Sequence, residues 1–202
     1  MIDDPTVYVV DDDSTIRILL REALTAAGLA VETFESAEAF LAGYQPGNPG
    51  CLVLDIFMPG MNGLELQQVI AADGNNPPII FLSCADEVSM AVQAMRDGAF
   101  EFVQKPVNPK LLLSLVEKAI ALDLRNLSTR LRREQIAQRV DSLTTREREV
   151  MKWMVRGKSN KAVAQVLDIS IRTVEIHRKN VFTKMRAESL VDLVRKSLEL
   201  EF

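Results

Sequence analysis

Two periodicities of apolar residues divide the chain. In the first 122 residues, short apolar runs rich in β-branched and aromatic residues alternate with stretches whose apolar positions recur every three or four residues. Thr6–Val10, Leu29–Phe34, Cys51–Asp55, Pro78–Leu82 with Ser83 at its end, and Phe100–Gln104 read as strands. The helical segments between them start at Ser14, read as the cap of the first (Ile16, Leu19, Leu20, Ala23, Leu24 and Ala27, stopped by Gly28), and at Ser36, Gly63 and Val88, and a fifth opens near Pro109. QPGNPG and DGNNPP are loops. Five strands alternating with five helices predict a doubly wound α/β domain with a five-stranded parallel sheet covered on both faces.

From Pro109 the period stays helical. Leu113, Val116, Ile120, Leu124, Leu127 and Leu131 step by three or four with no Pro or Gly before Gly157. One long helix, or two broken at Ser128-Thr129, fits this stripe, and Arg125, Arg130, Arg132, Arg133 and Arg139 fall on its solvated face. Four shorter helices follow. Thr144 and Glu147 stand at capping-box spacing, Ser159 caps a short helix ending at Leu167, Ser170 opens one to about Met185, and the last spans roughly Glu188–Leu200. The middle pair, joined by a tight turn at Asp168-Ile169, has a helix-turn-helix pattern. The expected division is residues 1–122, a helical linker over 123–140, and an all-α domain over 141–202.

Length and composition suit this division. The chain has 202 residues, 48% of them hydrophobic, and no apolar run approaches membrane-spanning length. The start MIDDP lacks a signal peptide's basic residues, so a cytoplasmic location is expected. Cys51 and Cys84 both lie in apolar runs and are expected to be buried, reduced thiols. Charge separates the halves: residues 1–122 carry 6 Lys+Arg against 17 Asp+Glu, whereas residues 141–202 carry 13 against 9. The basic back half suits a polyanion.

In a parallel sheet all C-terminal strand edges lie on one side, which collects Asp11, Asp12, Asp55, Ser83 and Lys105 at one crevice. Clustered carboxylates call for a hard cation such as Mg²⁺. A lysine and a hydroxyl beside them suit phosphoryl oxygens, with Asp55 as the nucleophile. Asp13 reads as a helix-start residue rather than a ligand.

VVDDDS, LDIFMPGMNG, the hydroxyl after strand four and Lys105-Pro106 after strand five stand in the order found in receiver domains of bacterial two-component response regulators, which residues 4–120 resemble. The resemblance implies a flavodoxin-like receiver fold. It makes Asp55 the phosphoacceptor, and Asp11, Asp12, Asp55 and the main-chain carbonyl of Phe57 the ligands of Mg²⁺ (or Mn²⁺). Ser83 becomes the switch hydroxyl, Lys105 the phosphate contact and Phe102 the aromatic switch. Serine stands at position 83 where threonine is more usual, which frees the hydroxyl's rotamer.

At 100° per residue, Ile171, Val174, Val181, Phe182 and Met185 share one face of the helix from Ser170. Arg172, Thr173, Ile176, Lys179, Asn180, Thr183 and Lys184 lie opposite. An isoleucine ringed by donors suits a thymine methyl, with Arg172, Lys179 and Asn180 reaching base edges or phosphates. His177, at the border, fits phosphate contact or simple packing. Arg178 falls on the apolar face, where an ion pair with Glu147 or Glu149 is expected.

LTTREREVMKWM, GKSNKAVAQVLDIS and RTVEIHRKNVFTKM make residues 142–199 resemble the LuxR-type four-helix DNA-binding domain. The whole chain resembles transcriptional response regulators of the FixJ/TodT/StyR type. The implied partners are a sensor histidine kinase, double-stranded promoter DNA, RNA polymerase and a second copy of the chain when phosphorylated or DNA-bound, with no membrane. Leu190, Leu193, Val194 and Leu198 are either a dimer face or a cap on the core. An aspartyl-phosphate phosphatase would share the acids and the lysine, but it needs a substrate pocket and a general acid that the sequence does not suggest. A phosphorelay adaptor would lack sequence-selective DNA binding.

In this family the positions two after the acceptor and two after the switch hydroxyl govern water access, and here they are the apolar Phe57 and Ala85. Phe57→Asn is therefore expected to shorten the phosphoaspartate lifetime several-fold, measured as loss of radiolabelled phosphoryl from the purified chain. An unchanged lifetime would show that Phe57 does not shield the site.

Overall fold

A computed structural model describes residues 4–72, 76–84 and 88–200, with Val88 and Ser89 described by backbone alone. Ala85 and residues 73–75 of the DGNNPP loop lie outside these. Contacts divide the chain into two compact units, residues 1–127 and 128–202.

In the first unit β1 (Thr6–Val10), β2 (Ala30–Phe34), β3 (Gly50–Asp55), β4 (Ile79–Ser83) and β5 (Glu101–Gln104) form an all-parallel sheet of order β2-β1-β3-β4-β5. The helices are α1 (Ser14–Ala26), α2 (Ala37–Gly43), α3 (Gly63–Ala71), α4 (Val88–Arg96) and α5 (Pro109–Asp141). Alternation along the strands builds two cores. Val7, Val9, Cys51, Val53, Ile80, Leu82 and Val103 pack with Leu20 and Leu24 of α1 and with Leu112, Val116 and Ala119 of α5. Tyr8, Val10, Leu52, Leu54 and Phe81 face the other way, toward Phe40, Leu66 and Ala94 of α2, α3 and α4. All six residues of β3 are buried, as a central parallel strand requires.

Helix ends follow local chemistry, with one correction. Asp13, not Ser14, is the N-cap of α1: its carboxylate accepts the Thr15 amide at 2.7 Å, and Ser14 is already helical. Asn62 and Glu65 form a reciprocal capping box on α3. Gly63 is required there by close approach, because a Cβ would sit 2.3 Å from the Asp55 carbonyl oxygen.

α5 runs unbroken for 33 residues, so Ser128 and Thr129 are helix interior. Ile120 and Leu124 belong with the core of the first unit, whereas Ile136 and Val140 belong to the core of the second; Leu131, between them, is exposed. Cys51 is buried, and burial pushes its thiol up to about 12. Cys84 is exposed, contrary to expectation, because it lies one residue beyond β4.

The second unit completes its core with α6 (Thr145–Val155), α7 (Asn160–Leu167), α8 (Ile171–Met185) and α9 (Leu190–Leu198). α8 packs on α6 and α7, and α9 on α6. The tight turn between α7 and α8 places Asp168 at φ 52, in the left-handed region that a short polar side chain tolerates. Glu147 is buried at the start of α6. Its carboxylate accepts from the Thr144 amide at 2.9 Å and from Lys184 Nζ at 2.6 Å. Burial alone would raise its pKa, but Lys184 and Thr144 outweigh that and bring it down to about 2.

Two outcomes follow from these contacts. Gly63→Ala forces the start of α3 away from the Asp55 backbone and is expected to cost about 1–3 kcal/mol, read as a lowered first-unit transition in calorimetry. Glu147→Gln should cost about 1–2 kcal/mol at neutral pH, discounted because Lys184 is partly exposed. Since the folded pKa lies below the ordinary 4.5, this advantage is complete above about pH 4.5 and lost as the pH falls through about 2. Denaturant melts followed by Trp153 fluorescence should therefore show wild type and variant converging in acid.

Candidate functional site

The parallel sheet delivers its chemistry at one edge. Asp11 follows β1, Asp55 ends β3, Ser83 ends β4 and Lys105 follows β5. Asp11 is fully buried and Asp55 nearly so, while Asp12 is exposed. Carboxylate oxygens of the three lie within 4.8 Å of one another. Like charges this close are opposed by Lys105, whose Nζ is 2.9 Å from Asp11 Oδ2 and 3.1 Å from Asp55 Oδ2.

The protonation equilibria follow from this crowding. Burial pushes the Asp55 carboxyl above the ordinary carboxylate range; Lys105 pulls it back, and the Asp11 charge adds to the rise. For Lys105, burial would lower the pKa, but hydrogen bonds to Asp11 and Asp55 outweigh it and leave the ammonium above its ordinary value. The raised ammonium of Lys105 thus bridges Asp55 and Asp11 and keeps the Asp55 carboxyl in place while compensating the three acids only in part.

The acidic loop is held by backbone as well as side chain. The Asp13 amide donates to Asp11 Oδ1 at 2.9 Å, and Arg17 Nη1 donates to the carbonyl oxygens of Asp11 and Asp12. No motif pointed to Arg17; its position one turn into α1 was the only available signal. The Phe57 backbone amide faces the Asp55 carboxyl and favours its charged form, and the Phe57 ring is 51% exposed. Ser83 is buried, with its hydroxyl 3.4 Å from the Cys84 carbonyl, while its own carbonyl accepts the Lys105 amide at 2.7 Å. Phe102 pairs in register with Phe81 and is half-buried against the second core. The donor set is all oxygen, partly buried and acidic, which fits a hard divalent cation.

In the second unit Val174, Val181 and Met185 of α8 are buried, and Phe182 is partly so. Ile171, expected on the same face, is 47% exposed because it begins the helix, where its side chain has no neighbouring turn to pack beneath. Arg172, Ile176, Lys179 and Asn180 are exposed, and Thr173 is half-buried. The 54% exposure of Ile176 leaves an apolar group in the middle of this polar surface. Lys184 departs from the expected DNA-facing set: its ammonium turns to Glu147 and to the Ser142 carbonyl. That also corrects the expected partner of Arg178, since Glu147 pairs with Lys184 and Glu149 with Arg146. His177 is half-buried, and its Nδ1 has no hydrogen-bond partner among the described residues.

On α9, Leu193 is buried in the core and Val194 half-buried, while Leu190 and Leu198 are exposed, as is the neighbouring Val191. The apolar set is therefore split between core and surface. No helix among the described residues is long and apolar enough to cross a membrane.

Comparison with known proteins matches both units. Residues 7–117 fit the response regulator receiver domain family, and residues 141–197 fit the luxR family of bacterial regulatory proteins. The chain is 40% identical over 192 residues to the transcriptional regulatory protein FixJ of Bradyrhizobium diazoefficiens, covering 95% of this chain and 94% of that one. It is 38% identical over 195 residues to the response regulator protein TodT of Pseudomonas putida, covering 96% and 86%. A low-resolution structure of the response regulator StyR matches with a TM-score of 0.90 at 41% identity, covering 98% of this chain and all of that one. With an acidic receiver pocket in one unit, a helix-turn-helix in the other and relatives matched over nearly their whole length, the chain belongs to the two-component response regulators that regulate transcription through a LuxR-type DNA-binding domain.

Proposed function

We propose that this response regulator is switched by phosphorylation of Asp55. The observation that carries this reading is the joint contact of Lys105 with Asp11 and Asp55 beside a third carboxylate, at the edge where four strand ends converge. A sensor histidine kinase supplies the phosphoryl group: the phosphorus–nitrogen bond of its phosphohistidine breaks as an Asp55 oxygen bonds to phosphorus. Asp11, Asp12, Asp55 and the Phe57 carbonyl would hold Mg²⁺ or Mn²⁺, which neutralises charge on the phosphoryl oxygens. Lys105, already within ion-pair distance of Asp55, needs only a small displacement to reach a phosphoryl oxygen. Ser83, tied by one long hydrogen bond, is free to reorient toward it. Phe102, half-buried against the second core, is the aromatic that changes its packing with the state of the site.

The output is sequence-specific binding of promoter DNA by α8, with Arg172, Thr173, Ile176, His177, Lys179 and Asn180 at the interface and Lys184 contributing if it leaves Glu147. We assign residues 1–122 to the receiver, 123–140 to the helical linker and 141–202 to the DNA-binding domain. Phosphorylation favours a homodimer that occupies two half-sites and engages RNA polymerase in the cytoplasm. Exposed Val191 and Leu198 support α9 as a dimer face.

DNA selected from a random pool by the phosphorylated full-length chain provides the test. In the presence of Mg²⁺ and a small-molecule phosphodonor, affinity for the selected site should rise about 10-fold, with a dimer in sedimentation. Asp55→Asn should show neither change. Equal affinity and equal mass with and without the donor would remove phosphorylation control.

A further inference from the structure

Arg17 lies on α1, outside the set of side chains that line the acidic pocket, yet its guanidinium is committed to that pocket's backbone. Nη1 donates to the Asp11 carbonyl at 2.7 Å and to the Asp12 carbonyl at 2.9 Å. These two carbonyls precede α1, whose own ladder begins with the Arg17 amide bonded to the Asp13 carbonyl. One residue thus closes the first helical turn and ties down the two peptide planes before it.

The two acids differ in how else they are held. The Asp11 carboxylate accepts from the Asp13 amide and from Lys105. Asp12 is exposed, and among the described residues no hydrogen bond or ion pair holds its carboxylate. The backbone therefore decides only where this side chain is rooted and which rotamers reach the other two acids, and the Asp12 backbone carbonyl is held by Arg17. Without that tie, three consecutive acids would relax apart by mutual repulsion.

We propose that Arg17 is a positioning residue for the divalent-cation site, holding the Asp11–Asp12 backbone so that the Asp12 carboxylate stays within ligating distance of Asp11 and Asp55. This role rests on the metal site proposed above. A guanidinium close to a divalent cation repels it. If Arg17 were only a nearby charge, its removal would tighten metal binding; if it positions Asp12, removal weakens it. The sign of the change separates the two.

The test titrates MgCl2 into the full-length chain without phosphodonor, following backbone amide NMR signals of Asp12, Asp13 and Phe57. Melts in chelator check that each variant is folded. Arg17→Met is expected to weaken Mg²⁺ binding about 10-fold, the range usual for groups that orient metal ligands. Arg17→Lys, one atom shorter but still a donor, should recover part of the loss. Should the methionine variant fail to fold, Arg17→Gln replaces it with the same expected weakening. Unchanged or tighter binding in a folded variant overturns the positioning role while leaving the metal site intact. No binding by the wild type, or binding indifferent to Asp12→Asn and Asp55→Asn, overturns the metal site and this role together.

Discussion

Crowding of negative charge at the C-terminal edge of the sheet is the constraint on which the first unit depends. Three carboxylates with oxygens within 4.8 Å of one another are tolerable only because a lysine from another strand end reaches two of them. The sheet order makes this possible, since β1 and β3 are hydrogen-bonded neighbours and β4 and β5 follow on the same side. The rest of the local structure limits relaxation. Gly63 lets α3 start against the Asp55 backbone, the Ser83 carbonyl fixes the peptide that leads into Lys105, and α1 begins immediately after the acids. The pocket is a charge imbalance maintained by geometry, and a further cation or a phosphoryl group changes its energy sharply.

The second unit resolves a smaller electrostatic problem in the opposite way. Glu147 is buried at the start of α6, but its hydrogen bonds and its partner Lys184 compensate it fully, so its carboxylate is stabilised rather than strained. A surface helix carrying Arg172, Lys179 and an exposed Ile176 is thereby offered on a firmly packed base. One domain stores electrostatic tension while the other presents a rigid surface, which is the division of labour expected of an input and an output.

Strand and helix periods, with turn residues between them, were enough to read the α/β order, because each strand of the parallel sheet is a short buried run. The gathering of Asp11, Asp55, Ser83 and Lys105 followed from topology, since parallel strands put all their C-terminal ends together. Features needing side-chain direction across elements were not legible. A helical wheel put Lys184 on the polar face of α8 but could not show that Glu147 of α6 would capture it. The same blindness hid Arg17, whose long side chain bends back to carbonyls five and six residues earlier. Cys84 and Ile171 were misplaced for a third reason: each sits at an element end, where periodicity no longer dictates burial.

The hydroxyl caps of the second unit carry a consequence for how the chain acquires its structure. Thr144, Ser159, Ser170 and Ser189 each stop the backbone before a helix and accept an amide from its first turn, so the starts of four successive helices are specified within a few residues. Such short-range specification favours fast folding, whereas the first unit must bring β1 beside β3 across more than forty intervening positions before its centre exists. During synthesis the slow unit emerges from the ribosome first and the fast one last. The LuxR-type helical module is thus expected to mature almost as soon as it is made, and the receiver domain has the whole translation of that module in which to close its sheet.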